Sequence, residues 1–242
     1  FPYLSYNVDF SKDSGTSRLA SANGQTASQT AGKLTGWVSI NVAGERIGVI
    51  GASSPTFKSI TNVGSLEFTP ALTTATPDVV ALAANIQKGV DEIKAAGINK
   101  VVLLAHMQQI AVERQLATLL DGVDIVVAGG SNTLLANTSD VLRQGDSAAG
   151  TYPQFFTSKS GEPVALVNTD ADYKYLGRFM AAFDAEGRLI RNIEFKQTSA
   201  QVSSQTSDTS ITPWRGCSSC RNRRSRHHSQ APTAKVAAMA WG

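Results

Sequence analysis

The sequence predicts an α/β fold with mixed sheets, and three features of the chain indicate it. The middle of the chain alternates apolar strands with amphipathic helices, which is typical of a parallel sheet with right-handed crossovers. Two of these strands run directly into polar residues, and the carboxyl ends of strands are where such sheets bind ligands. After residue 133 the pattern changes to shorter strand-like segments joined by turns.

The first part of the chain predicts a hairpin behind an extended segment. Residues 1–10 alternate weakly in polarity and are expected to be extended, whereas residues 11–32 are rich in Ser, Thr, Gly and Asn and are expected to form a loop. Residues 33–42 and 45–52 are rich in β-branched side chains and flank Gly44. They are therefore expected to pair as a hairpin with a tight turn.

Two helices and two buried strands follow. Residues 76–97 form the clearest predicted helix, since apolar side chains recur there at steps of three and four residues. Thr76 is the expected N-cap, Pro77 fits the first helical position, and Gly97 is expected to end the helix. The other elements predicted here are a buried strand at residues 100–105, a helix at 110–120 and a second buried strand at 123–128.

The remainder of the chain predicts antiparallel strands and then a tail. Strand-like segments are expected at residues 164–168, 174–183 and 189–196, with a turn at 184–187 that carries a glycine. The chain is accordingly divided into a folded body at residues 1–197, a linker at 198–210 rich in Ser, Thr and Gln, and an irregular basic tail at 211–242 that is expected to be disordered.

The tail accounts for the basic character of the chain. The net charge is +3, from 22 basic and 19 acidic residues, and the tail holds six of the basic residues and none of the acidic ones. The body is therefore slightly acidic, which argues against specific nucleic-acid binding. It contains no cysteine, which excludes a disulfide framework there. No apolar run reaches the ~18 residues that a membrane span needs.

The tail also carries four potential zinc ligands, which are Cys217, Cys220, His227 and His228. Their spacing does not match a usual zinc site, and the cysteine pair lacks the strand–helix–strand setting of a redox motif. The arginines of the tail would attract phosphate or nucleic acid electrostatically. The abrupt change in composition instead favours translation in a shifted reading frame, with a disordered linker as the alternative.

The candidate functional residues lie at the polar ends of the two central strands. His106 ends the first strand and is the sole histidine before residue 227. Ser131 and Asn132 follow the second strand, after two glycines. The two polar tips are expected to lie near each other, at the edge of the sheet where ligands bind. The alternative is that His106 is an ordinary core histidine and that the other two residues form a turn and a helix cap.

Five segments together resemble the calcineurin-like metallophosphoesterases of the bacterial 5′-nucleotidase branch. They read FPYLSYNVDFS, GERIGVIGASSP, GINKVVLLAHM, GVDIVVAGGSNTLL and VALVNTDADYKYLGRFMAAFDAEGRL. The resemblance covers roughly residues 1–197 and keeps the order of the segments. It implies a four-layer α/β/β/α sandwich with divalent metal ions between its sheets, two in the family, and the hydrolysis of phosphomonoesters. Two such cations ~3.5–4 Å apart can clamp the attacking and the leaving oxygen.

The resemblance also assigns roles to particular residues. His106 matches the family's late single-histidine metal ligand, and Ser131 and Asn132 match its last metal-binding tip, so that His106 and Asn132 would also serve catalysis. This tip is one residue short and has no histidine. The family's earlier metal motifs would lie before Phe1. The body would then be a partial catalytic domain, the C-terminal half, with an incomplete metal site.

Partners and location follow from the resemblance alone. It implies a small phosphorylated substrate, either a nucleotide or another phosphomonoester, and a periplasmic or secreted location. No membrane partner is expected. A sheet edge left open by missing strands would favour self-association.

Two other classes of function stay open. The chain is a non-catalytic remnant or binding module if the missing motifs have abolished activity. It is a serine esterase if His106 serves as base to Ser53, Ser54 or Ser131, although none of these serines has the second glycine of a G-x-S-x-G motif.

Overall fold

The computed structural model describes residues 1–191 and the strand at Ser210–Pro213, and its main element is a six-stranded sheet. In chain order the strands are β1 (Tyr3–Leu4), β2 (Val8–Asp9), β3 (Leu34–Thr35), β4 (Trp37–Val42), β5 (Glu45–Ser53), β6 (Glu67–Phe68), β7 (Val101–His106), β8 (Ile125–Gly129), β9 (Gln154–Thr157), β10 (Pro163–Val167), β11 (Tyr175–Arg178) and β12 (Ser210–Pro213). The described α-helices are α1 (Val79–Ala95) and α2 (Ile110–Leu119), and short 3-10 turns lie at Phe10–Lys12, Ser17–Leu19 and Phe57–Ser59.

The large sheet mixes parallel and antiparallel strands in the order β4-β5-β7-β8-β10-β9. The four inner strands are parallel to one another, and β4 and β9 are antiparallel to their neighbours at the two edges. Three two-stranded sheets pair β1 with β3, β2 with β6, and β11 with β12. The turn between β4 and β5 has positive φ at both Ala43 and Gly44, as a two-residue hairpin turn requires. The predicted α/β class with mixed sheets is confirmed.

The first helix begins later than its sequence suggests. Asp78 is the N-cap, because its backbone is extended and its Oδ1 accepts a hydrogen bond from the Ala81 amide at 2.9 Å. Thr76 is therefore not the cap, and Pro77 precedes the cap. A carboxylate at this position satisfies one of the free amides of the first turn. The other end agrees with the prediction, since Gly97 has a φ of 75° and follows the last helical turn.

The prediction for the C-terminal part was wrong in several details. The segment expected to be an antiparallel strand is β10, which pairs in parallel with β8 and is antiparallel only to β9. The strand β9 was not predicted from the sequence; it is an edge strand of four residues. The buried residues on both faces of β10 explain why its sequence is a single apolar run.

The segments after β10 also differ from expectation. Only Tyr175–Arg178 of the expected strand at 174–183 is regular, and it pairs with β12. Up to residue 191, the segment at 189–196 has one isolated bridge, from Leu189 to Phe183, and residues 192–196 fall outside the described part. β12 includes the last residue of the expected linker and the first three of the expected tail. The rest of the linker and of the tail also falls outside the described part.

The two helices cover one face of the large sheet, and His106 belongs to the other face. Both helices contact the sheet and each other. Gly48 of β5 faces α1, because a Cβ added there would meet Ile93. Gly48 is in register with Val101, and alternate residues of β7 point to opposite faces, so His106 points away from the helices. The burial pattern of β7 agrees, since Leu104 and His106 are its exposed residues.

One surface carboxylate connects four separate parts of the fold. Glu92 of α1 accepts hydrogen bonds from the Tyr6 hydroxyl and the Trp37 indole, each at 2.7 Å, and from the Asn23 amide at 3.1 Å. Tyr6 lies in the N-terminal segment, Asn23 in the loop before β3, and Trp37 in β4. Glu92 therefore holds the N-terminal segment and its loop against the edge of the sheet.

A buried carboxyl group connects the strands at the amino end of the sheet. Asp124 is 7% exposed, and its Oδ2 accepts a hydrogen bond from the Val101 amide at 2.7 Å. Burial raises the pKa of this carboxyl to about 8, against the opposing effect of the Val101 amide and the Lys100 ammonium group. The group is thus protonated in the folded chain at neutral pH.

Neither described helix is long and apolar enough to cross a membrane.

Replacement of Asp124 by asparagine should flatten the pH dependence of stability. The folded chain keeps this proton up to about pH 8, whereas the unfolded chain loses it near the ordinary aspartate pKa of about 4. The stabilisation is therefore complete below the unfolded pKa and falls as the pH rises toward the folded pKa, by up to ~1.4 kcal/mol per pH unit. The asparagine carbonyl still accepts from Val101 but does not titrate.

Urea unfolding at about pH 5, 6.5 and 8.5 measures this slope. The unaltered chain should lose stability between the first and the last pH, and Asp124→Asn should lose less. Equal slopes in the two proteins would contradict the assignment.

Candidate functional site at the carboxyl edge of the sheet

The carboxyl ends of three parallel strands meet at one edge of the large sheet. Ser53 of β5 is in register with His106 of β7, which is in register with Gly129 of β8. The structure thus brings the two polar tips next to each other, as the sequence predicts.

The His106 imidazole lies in the open at this edge. The residue is exposed, and its Nε2 lies 3.3 Å from Nε2 of the Gln108 side-chain amide. The backbone carbonyl of His106 accepts a hydrogen bond from the Ser54 amide at 3.0 Å, which fixes the strand end. His106 is therefore not a core histidine, which removes the first alternative considered for it.

The tip after β8 packs directly against the imidazole. Gly130 has a φ of 79°, and a Cβ added there would lie 2.5 Å from both Cδ2 and Nε2 of His106 and 2.8 Å from Oε1 of Gln108. A side chain at this position would require the His106 ring or the Gln108 amide head to move. The glycine therefore sets how closely the two tips approach.

Ser131 serves the structure of the turn. Its hydroxyl donates to Thr133 Oγ1 at 2.9 Å and accepts from the buried Asn168 side-chain amide at 3.0 Å. With these bonds made, the hydroxyl is a weaker candidate ligand than its neighbour.

Asn132 is exposed and has a φ of 52°, in the left-handed region that asparagine tolerates best among residues with side chains. Its side-chain amide has no hydrogen-bond partner among the described residues.

The loop at Asp170 is bonded to this tip, since the Asp170 amide donates to the Thr133 carbonyl at 3.1 Å. The Asp170 carboxylate forms a salt bridge with Lys174 at 2.6 Å.

Sequence reasoning missed a buried acid beneath the His106 tip. Glu113 of α2 is fully buried, and its Oε1 accepts a hydrogen bond from the Met107 amide at 3.1 Å. Its Oε2 has no hydrogen-bond partner among the described residues. Burial raises the pKa of the Glu113 carboxyl to about 7, while backbone amides, including those of Met107 and Gly129, lower it. The sequence signal that could have revealed this acid is the position of Glu113, a charged residue, within the apolar pattern of a helix.

Sequence reasoning also missed the amide that fixes the neighbouring strand end. Asn7 is 2% exposed, its Oδ1 accepts from the Ser53 amide at 2.8 Å, and its Nδ2 donates to the Ser53 carbonyl at 2.9 Å. The Ser5 hydroxyl also donates to Asn7 Oδ1, at 3.1 Å. Asn7 thereby extends the sheet edge with the N-terminal segment. A single asparagine in an extended segment gives no sequence signal for such a contact.

The described residues do not fit a two-metal centre. No group of three or more His, Cys, Asp or Glu side chains that could hold a metal occurs in the described part of the chain. Two cations need bridging carboxylates to offset their repulsion, and this edge offers one imidazole and neutral oxygens. The imidazole and the neutral oxygens of this edge are suitable as some of the ligands of a single cation.

The same edge does not contain a serine–histidine pair. The hydroxyl of Ser53 bonds to Ser5, that of Ser54 to Thr56, and that of Ser131 to Thr133. Within the described ranges, none of these hydroxyls bonds to the imidazole at 106. The arrangement lacks the nucleophile–base contact that a serine esterase needs.

Replacement of Gly130 by alanine should displace the His106 imidazole. The added Cβ would lie 2.5 Å from two ring atoms, so the ring must turn away. Gly161→Ala is the matched control, because Gly161 also has a positive φ but a Cβ there meets nothing within 4 Å. Both variants should lose about 1 kcal/mol or more of stability from backbone strain.

The position of the ring is read from the ¹H–¹³C correlation of its Cε1–H group. Only Gly130→Ala should shift this resonance. An unshifted His106 signal in a folded Gly130→Ala protein would show that the two tips are not in contact.

Comparison with known proteins supports this description of the fold. No model of a protein family matches the chain. The 5′-nucleotidase of Bos taurus is 30% identical over 191 residues, which cover 78% of this chain and 29% of that protein. The crystal structure of a 5′-nucleotidase precursor from Thermus thermophilus matches with a TM-score of 0.61 and 30% identity, over 79% of this chain and 32% of that one.

A second solved structure agrees with these matches. The NAD nucleotidase of Haemophilus influenzae has a TM-score of 0.58 and 25% identity, over 79% of this chain and 30% of that one. The chain therefore spans about three tenths of the length of these proteins. In sequence and in fold, it is a relative of part of the 5′-nucleotidases, which confirms the resemblance to metallophosphoesterases of that branch.

Proposed function

We propose that this chain forms part of a metal-dependent phosphomonoester hydrolase. The observation that carries the proposal is the position of His106, at the end of an inner parallel strand and beside the tip of the next one. The similarity to 5′-nucleotidases over 191 residues supports the same class of reaction. Because the chain spans about three tenths of these relatives, the activity belongs to a protein that supplies the remaining part of the site.

The substrate class follows from the relatives. Their names identify them as 5′-nucleotidases and an NAD nucleotidase. A nucleotide or a similar small phosphomonoester is therefore the proposed substrate of this chain. We also propose a periplasmic or secreted location, which the precursor form of the Thermus thermophilus relative supports.

His106 is the proposed metal ligand of this chain. A neutral imidazole offers one lone pair, and its ring is held in the open at the sheet edge. Asn132 is the proposed second donor, through its side-chain oxygen, and Ser131 is a third and weaker one because its hydroxyl is engaged in the turn. These three donors are neutral, so the carboxylates of a complete centre must come from outside the described residues.

The alternative is that the chain is a non-catalytic remnant or a binding module. The observation that favours it is the lack of a group of three acidic, cysteine or histidine ligands in the described part. The partly exposed edge strand β9 of the large sheet would support self-association in either case.

Replacement of His106 by alanine tests the proposed function. The protein that joins this chain to the remaining part of the site is incubated with Mn²⁺ or Zn²⁺ and adenosine 5′-monophosphate, and inorganic phosphate is measured. A chelator should abolish phosphate release, and His106→Ala should lower kcat/KM at least about 100-fold because a metal ligand is lost. His228→Ala, which removes a histidine of the tail, should match the unaltered chain.

Each possible result separates the hypotheses. Phosphate release that survives chelation, or that is the same in His106→Ala, would refute the proposed role of His106. No release from the unaltered protein that contains the whole site would favour the non-catalytic alternative.

A further inference from the structure

Gln108 occupies an unusual position beside the candidate ligand. Its φ is 67°, in the left-handed region that a glutamine rarely adopts. Its backbone amide donates to the Gly129 carbonyl at 3.3 Å, so the residue crosses from the end of β7 to the end of β8. This backbone conformation directs the side chain back toward the imidazole of His106.

The amide head of Gln108 lies where a ligand of His106 would bind. Its Nε2 is 3.3 Å from Nε2 of the ring. An amide N–H can donate only to a ring nitrogen that carries a lone pair, which is the form that binds a metal. Rotation of the amide by half a turn exchanges its nitrogen and oxygen, and would bring Oε1 to the same position.

The packing of the edge holds this pair together. The α-carbon of Gly130 lies against both the ring and the amide head, since a Cβ there would be 2.5 Å from Nε2 of His106 and 2.8 Å from Oε1 of Gln108. The imidazole of His106 and the amide head of Gln108, two donor groups from the end of β7, therefore lie next to each other. The tip after β8 carries no histidine, so this point also lacks the donor that the resemblance implies there.

We propose that Nε2 of His106 and Oε1 of Gln108 form a two-donor half-site for one divalent cation. The inference rests on the proposed function for His106 and adds Gln108 as a ligand that nothing else assigns. In the metal-free chain the amide covers the imidazole lone pair, and on binding it turns and supplies its oxygen to the same cation. Asn132 is the third neutral donor within the same edge.

Mn²⁺ binding to the full chain tests this site. Manganese favours oxygen donors, such as the proposed Gln108 carbonyl, over the thiolates of the tail. Its paramagnetism broadens NMR signals only near the bound ion, so broadening of the Gly129 and Gly130 amide resonances reports this site and gives an apparent Kd. The readout does not depend on phosphatase activity.

Two substitutions of Gln108 should have opposite effects. Gln108→Glu adds a carboxylate at the same place and should tighten Mn²⁺ binding roughly 10-fold, whereas Gln108→Met keeps the size without the oxygen and should weaken it roughly 5-fold. The matched control is Gln109→Ala, because Gln109 is the exposed neighbouring glutamine and its side chain does not cap α2. This control should bind like the unaltered chain.

The outcomes distinguish the two proposals. If Gln108→Met and Gln108→Glu bind as the unaltered chain does while His106→Ala abolishes broadening, Gln108 is not a ligand and the proposed role of His106 stands. If His106→Ala leaves the broadening unchanged, both proposals fail. Lack of saturable broadening in the unaltered chain would also refute the half-site.

Discussion

The parallel pairing of β7 with β8 is the constraint on which the whole candidate site depends. It places His106 opposite Gly129, and it places Gly130 against the imidazole ring. Because side chains alternate along a strand, a slip of one residue would turn His106 toward the helices and bury it in the core. The register is fixed by the apolar residues of β7 that face α1 and α2, so the hydrophobic core determines the position of a polar group outside it.

Buried carboxyl groups secure both ends of β7. At the amino end, Asp124 accepts from the Val101 amide, and at the carboxyl end, Glu113 accepts from the Met107 amide. The pKa of each acid is raised, to about 8 and about 7, because burial disfavours the charged form. Burying such groups opposes folding unless their hydrogen bonds compensate. Both acids bond to β7, the strand that carries His106. The two ends of this strand are therefore held by buried side chains and not by flexible loops.

The sequence was sufficient to predict the elements that local patterns determine. It was insufficient to predict contacts between residues that are distant along the chain. The hairpin, both helices and the two inner strands followed from periodicity, and the adjacency of His106 to the β8 tip followed from parallel topology. The direction of β10 could not be predicted, because an apolar run is the same in either direction. Glu113 and Asn7 were missed because their roles arise from contacts with Met107 and Ser53 that no spacing in the sequence encodes.

The polar groups of this edge are divided between holding the edge together and facing outward. Ser131 and Asn7 are engaged in hydrogen bonds with the turn and the strand end, whereas His106, Gln108 and Asn132 present donors outward. The outward set is neutral, and neutral donors alone bind a divalent cation weakly, since no charge is offset. Strong binding therefore requires carboxylates brought to the open face of the sheet. That face is the one opposite the helices, where Leu104 and His106 are the exposed residues of β7.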